Sequence, residues 1–118
     1  MMKSTQLVSI NDVASVNGVL SASLITRSGE YVEGTIPSDT RRDTFSAMSA
    51  IILGAAERSA VELNDGLLKV SVELDNSMLI VFGLDSQYLM AVTSTTEADA
   101  DEIIERARVW KERKMIRR

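Results

Sequence analysis

The chain has 118 residues, 45% of them hydrophobic and 25% charged, with one proline and six glycines; this is ordinary globular composition, enough for one compact domain burying about two thirds of its extended surface. Cysteine and histidine are both absent, which excludes disulfides, Cys/His zinc sites and thiolate- or histidine-based nucleophilic catalysis. The net charge is −4, yet seven of the thirteen bases lie between Arg106 and Arg118 with only Glu112 among them, and an acidic body with a basic end argues against nucleic-acid binding.

No repeat, linker or compositional break divides residues 1–118, so they read as a single domain. Ser4 to Val16 is weakly helical, with Leu7, Val8, Ile10, Val13 and Ala14 as a partial stripe that Asn17-Gly18 ends. Val19 to Thr26 alternates as a strand. Arg27-Ser28-Gly29 turns it into a second strand over Glu30 to Ile36, making a hairpin. Pro37 stops that strand. Ser38, Asp39 and Thr40 are candidate N-caps, and Thr40 with Asp43 resembles a capping pair. A long helix is predicted from about Arg42 to Leu63, stopped by Asn64-Asp65-Gly66.

Three closely spaced strands follow. Leu67 to Asp75 sets Leu68, Val70, Val72 and Leu74 on one face and Lys69, Ser71 and Glu73 on the other. Met78 to Leu84 is nearly all apolar, as in a strand covered on both faces. Gln87 to Ser94 is the fifth strand, and the short turns demand an antiparallel meander. A last helix begins near Glu97, with Ser94-x-x-Glu97 and Thr96-x-x-Asp99 as candidate caps. It is acidic first and basic last, in keeping with the helix dipole, and Ile103, Ile104, Ala107 and Trp110 form its inward stripe. The expected fold is α/β (α+β): one five-stranded antiparallel sheet with three helices, in the order helix-strand-strand-helix-strand-strand-strand-helix.

This order resembles the roadblock (dynein-light-chain-type) domain family over nearly the whole chain. The resemblance is carried by Gly18-Val19-Leu20-Ser21-Ala22-Ser23-Leu24-Ile25 leading into Ser28-Gly29, by the Ala-rich middle helix, and by the strand after Asn64-Asp65-Gly66. It implies a homodimer, or a heterodimer with another roadblock chain, in which the third strands pair and the middle helices pack across the two-fold. It also implies a non-enzymatic platform for a Ras-like small GTPase. A small-ligand sensor of profilin or PAS type is the alternative reading, because those domains also combine such a sheet with helices.

The residues themselves offer no catalytic motif. Gly29-x-x-x-x-Gly34 has phosphate-loop spacing, but Thr35 and Ile36 stand where Lys and Ser/Thr are needed. These glycines read as turn and close-packing positions. Asp99, Asp101, Glu102 and Glu105 read as a solvated helix start, so neither cofactor nor metal is expected. The longest apolar stretch, Phe45 to Ala56, is too short to span a bilayer. Met1 to Val16 lacks a signal-peptide pattern, and a chain without cysteine fits a cytoplasmic location.

The middle helix is the most informative element. Phe45, Met48, Ile52, Ala56 and Leu63 are predicted to cover the sheet. The opposite side, with Ala47, Ala50, Gly54, Arg58 and Val61, is small and apolar where a monomer's surface helix is polar. The expected dimer interface is therefore Ala47, Ala50, Ile51, Gly54 and Arg58 with strand residues Leu68, Lys69, Val70, Ser71, Val72, Glu73 and Leu74. Centring a two-fold strand pair on Ser71 sets Lys69 opposite Glu73 of the second chain. Ser46, Ala50 and Glu57, with Arg113 and Lys114 of the basic end, are the expected GTPase-contacting residues.

Overall fold

The computed structural model describes residues 10–116, with side chains described as far as residue 113. Eight elements follow in chain order: α1 (Asn11–Ala14), β1 (Val19–Thr26), β2 (Tyr31–Gly34), α2 (Arg42–Glu62), β3 (Val70–Glu73), β4 (Met78–Gly83), β5 (Tyr88–Ser94) and α3 (Ala100–Ile116). The strands form one antiparallel sheet in the order β2-β1-β5-β4-β3. The short β3–β4 and β4–β5 turns force the neighbouring pairs, and β1 closes on β5 across the middle of the sheet. The two edges are β2 and β3.

Strand alternation divides the core in two. Ala22, Leu24, Ile80, Phe82, Met90 and Val92 point to the face covered by α1 and α3, where Val13, Ile103, Ala107 and Trp110 pack onto them. Ile25, Val81, Leu89 and Ala91 point to the other face, under Leu53 of α2. β4 is thus covered on both sides, which is why its sequence is continuously apolar. The helix dipole and side-chain caps act together at α3, whose first N–H groups, from Asp101 and Glu102, are taken by Asp99 Oδ1 at 3.0 and 3.3 Å.

Several boundaries differ from expectation. α1 is one turn long, and the part of its expected span before Ile10 lies outside the described residues. The edge strands are shorter than their alternating runs, because only one neighbour holds each of them. A bulge in β1 between Val19 and Ser21 releases Leu20 to solvent. None of Ser38, Asp39 and Thr40 caps α2: its N-cap is Arg41, without a side-chain bond. Asp39 instead takes a left-handed conformation at φ 60°, and Thr40 Oγ1 donates to the Ser38 carbonyl within the loop.

A candidate interaction surface on α2 and the β3 edge

α2 meets the sheet through Ser46, Ser49 and Leu53, which are buried, with Phe45 and Ala50 packed beside them. This corrects the predicted face by about one residue, or 100° of helix. Met48 and Leu63 were expected on the sheet and are exposed. The cause is that α2 is apolar on both sides, so polarity does not select a face. The face turned inward is lined by the small residues Ser46, Ser49 and Ala50 around Leu53. Ser49 Oγ satisfies itself on the Phe45 carbonyl one turn back, at 2.9 Å.

Ser46 and Ala50 therefore do not belong to the outer surface where a partner was expected. Ser46 Oγ is buried with no hydrogen-bond partner among the described residues. An orphaned buried hydroxyl costs about 1–3 kcal/mol. Ser46→Ala is expected to stabilise the domain by about 1 kcal/mol, read as a higher urea midpoint at unchanged slope. A lower midpoint would show that the hydroxyl has a role in folding.

Glu57, also expected at the partner surface, is half-buried and engaged within its own domain. Arg27 Nη1 donates to both of its carboxylate oxygens at 2.8 Å. The same guanidinium reaches the Asp85 carbonyl from Nη2 at 2.8 Å and from Nε at 3.1 Å, and the Tyr88 carbonyl from Nε at 3.3 Å. One side chain thus ties the end of β1, the middle of α2 and the β4–β5 turn. Arg27 was missed in the sequence, where its one signal is a lone cation ending an apolar strand. The pair is partly solvated, so its value is mainly geometric. Gly29, at φ 96°, lets the β1–β2 turn close on α2: a Cβ there would stand 3.1 Å from Ala47 Cα.

What remains outward on α2 is Ala47, Met48, Ile51, Ala55 and Arg58, all exposed, with Ile51 at 68%. Gly54 lies beside them, and among the described residues nothing outside its own helix turn comes within contact of a Cβ there. Beyond the C-terminus of α2, Leu63 and Leu68 are about three quarters exposed. Leu68 was expected on the face under α2; instead residues 67–69 leave the ladder, Leu67 takes the place under α2, and Leu68 stands at the sheet's rim. Val70 and Val72 are half-buried, and Ser71, Glu73 and Leu74 are exposed.

The hydrogen-bonding direction of β3 is fixed by its turn. Leu74 N–H donates to the Ser77 carbonyl at 2.9 Å. In an antiparallel ladder alternate residues point the same way, so Val72 and Val70 also direct their backbone groups to β4. Ser71 and Glu73 direct theirs outward, to the open edge.

The basic end of α3 is less free than its composition implies. Arg106 lies 3.8 Å from Glu102 and donates to the Asp12 carbonyl at 3.3 Å. Lys111 donates to the Leu84 carbonyl at 2.8 Å, and Arg113 stands 3.9 Å from Asp12. Lys114, the other expected partner contact there, has a side chain outside the described ones. Arg108 is exposed, with no hydrogen bond or ion pair among the described residues. It borders a groove of about 160 Å³ with Leu68, Phe82, Gly83, Leu84 and Ile104. An apolar cavity beside Phe45 and Met48 has a volume of about 280 Å³, at the lower edge of the roughly 300–1,000 Å³ of small-molecule sites. Among the described residues, no helix is long and apolar enough to cross a membrane.

Comparison with known proteins agrees with this architecture. A family model described as the Roadblock/LC7 domain matches residues 6–94. A Roadblock/LC7 domain from Streptomyces avermitilis superposes with a TM-score of 0.75 at 23% identity, covering 90% of this chain and 91% of that one. MglB of Myxococcus xanthus superposes at 0.77 and 12% identity, covering 98% and 95%. A further MglB structure, described as having a tetrameric arrangement, superposes at 0.74 and 15% identity, covering 97% and 90%. No curated protein matches the sequence.

Proposed function

The chain belongs to the Roadblock/LC7 domain family, and from that premise we propose that it is a non-enzymatic, homodimeric adaptor for a Ras-like small GTPase in the cytoplasm. The observation that carries this reading is the outer face of α2. Ala47, Met48, Ile51 and Ala55 make it apolar where a monomer would be polar, and it runs beside the unpaired β3 edge. A helix face and an adjoining strand edge that both lack a partner are covered together by one two-fold axis. The self-association described for an MglB of the same fold supports this.

The outward groups of β3 restrict the pairing. Ser71 and Glu73 must oppose residues of the same kind, so the two-fold passes through a residue, not between two. Centred on Ser71, the pair sets Val70 opposite Val72 and brings Lys69, where the strand leaves the ladder, toward Glu73. That register matches charge on the α3 side of the sheet. Lys69 stands 3.9 Å from Asp101, whose side chain is 90% exposed, a weak contact that leaves it free to turn.

The paired α2 helices then form one composite platform, and the GTPase is met there. The surface offered is Met48, Arg58 and the apolar rows between them. The test is capture: the tagged chain is mixed with the Ras-like GTPases of its own cell, loaded with GDP or a GTP analogue. Retention of one GTPase in a nucleotide-dependent manner is expected. Retention of none in either state would overturn the adaptor reading.

A further inference from the structure

The connector from α2 to β3 carries an inference that does not depend on how two copies pair. Residues 65–69 belong to no helix or strand. Asp65 N–H is held by the Ala60 carbonyl at 3.0 Å, which anchors this residue to the last turn of α2. Asn64 brings the chain there through a left-handed conformation at φ 57°. Gly66 N–H has no backbone acceptor among the described residues and donates to Asp65 Oδ1 at 2.8 Å. Asp65 and Gly66 are both exposed, and nothing lies within 4 Å of a Cβ built on Gly66.

We propose that Asp65–Gly66 is a self-modifying site at which the main chain isomerises from aspartyl to isoaspartyl. The contact that holds the Gly66 nitrogen on Oδ1 places it next to Cγ, the carbon to which Oδ1 is bonded. With the carboxyl in its neutral form, that nitrogen attacks Cγ. The N–Cγ bond forms, the Cγ–OH bond breaks, and the amide proton leaves with the hydroxyl as water. The succinimide that remains is opened by water at one of its two carbonyls. Addition at Cγ restores aspartate; addition at the main-chain carbonyl leaves the chain running through Cβ and Cγ. No other reactant is consumed, and the product has the mass of the starting chain. Ring closure turns the peptide plane after Asp65, and glycine permits this because it has no Cβ to meet the carboxyl. The Asn17–Gly18 pair has related chemistry, but there the backbone is held. The Gly18 carbonyl accepts from Thr95 N–H at 2.8 Å, and a Cβ on Gly18 would stand 2.9 Å from Ala98 Cβ. The isoaspartyl link adds one carbon to the main chain directly before Leu67, which packs against the core cluster under α2. The modification therefore loosens the seat of α2 where the chain enters the sheet's edge.

The test is peptide mapping of the whole chain after weeks in warm neutral buffer. The tryptic peptide from Ser59 to Lys69 is expected to show isoaspartate at position 65 by electron-transfer fragmentation, with a minor form lighter by one water. Isoaspartyl O-methyltransferase is expected to methylate the aged chain and not the fresh one. Gly66→Ala is expected to slow the conversion roughly tenfold, because its methyl group hinders the approach of the nitrogen. That variant is expected to fold, since Gly66 is outside the left-handed region and has open space around it. Asp65→Glu keeps the charge but needs a larger ring, and is expected to give no conversion. The isoaspartyl form, separated by chromatography, is expected to melt several degrees below the fresh chain. Position 65 remaining wholly aspartyl, or Gly66→Ala converting as fast as wild type, overturns the proposed site. An isoaspartyl form that melts like the fresh chain overturns the loosening of α2.

Discussion

Ile51→Asp is expected to turn the proposed dimer into a folded monomer. Ile51 is 68% exposed and lies outside both core clusters, so the substitution removes nothing that holds the single chain together. In the proposed pair the two-fold would bring two copies of the site to the same helix–helix contact, and each new carboxylate would be taken from water without a counter-charge. Each uncompensated burial costs several kcal/mol. The dissociation constant should rise by more than about a hundredfold, or roughly 3 kcal/mol. Light scattering at micromolar concentration reads this as half the wild-type mass, with the far-ultraviolet spectrum unchanged. Capture of the GTPase should fall with it, because the platform is composite. A variant that keeps its dimer mass would move the interface away from this face of α2.

Gly34→Ala is the substitution with the largest expected effect on folding. Gly34 closes β2 with φ at 112°, a conformation that L side chains rarely adopt. A Cβ there would collide with the Ala22 carbonyl oxygen of β1 and stand 2.8 Å from Ser23 Cα. Neither obstacle is a flexible side-chain end; both are backbone in a strand at the centre of the hairpin. The φ strain costs more than about 1 kcal/mol, and the overpacking adds about 1–3 kcal/mol. The melting temperature should fall by on the order of 10 °C. A variant that melts within a degree or two of wild type would mean that β2, held only by β1, moves aside without cost. The same geometry accounts for the glycine spacing in this stretch, whose purpose is backbone approach.

Much of the fold was legible because its signals are local and mutually consistent. The alternation of β1, the continuous apolar run of β4 and the stripe Ile103, Ile104, Ala107 and Trp110 each specify an element and its buried side. The turn residues between β3, β4 and β5 leave antiparallel neighbours as the only short connection. From these follow the five strands and the order within the β3–β4–β5 meander, while the edge position of β3 comes from the closure of β1 on β5. The roadblock resemblance, also read in the sequence, supplied the expectation that β3 pairs across a two-fold.

The orientation of α2 was decided only in three dimensions. A helix apolar on both sides has no polarity with which to choose a face, so the choice fell to packing against the sheet, where Leu53, Phe45 and Ala50 join Ile25, Val81, Leu89 and Ala91. That put Ser46 and Ala50 inward and left Met48 outward. Glu57 likewise became an internal ligand of Arg27, because a charge's partner thirty residues away is set by packing and leaves no trace in local composition. The departure of residues 67–69 from the ladder has the same character. Leu67 and Leu68 are both apolar and either could face α2; an edge strand is held on one side only, and Leu67, not Leu68, found the apolar space under α2. The groove that Leu68 lines beside Arg108 opens where that slip occurs.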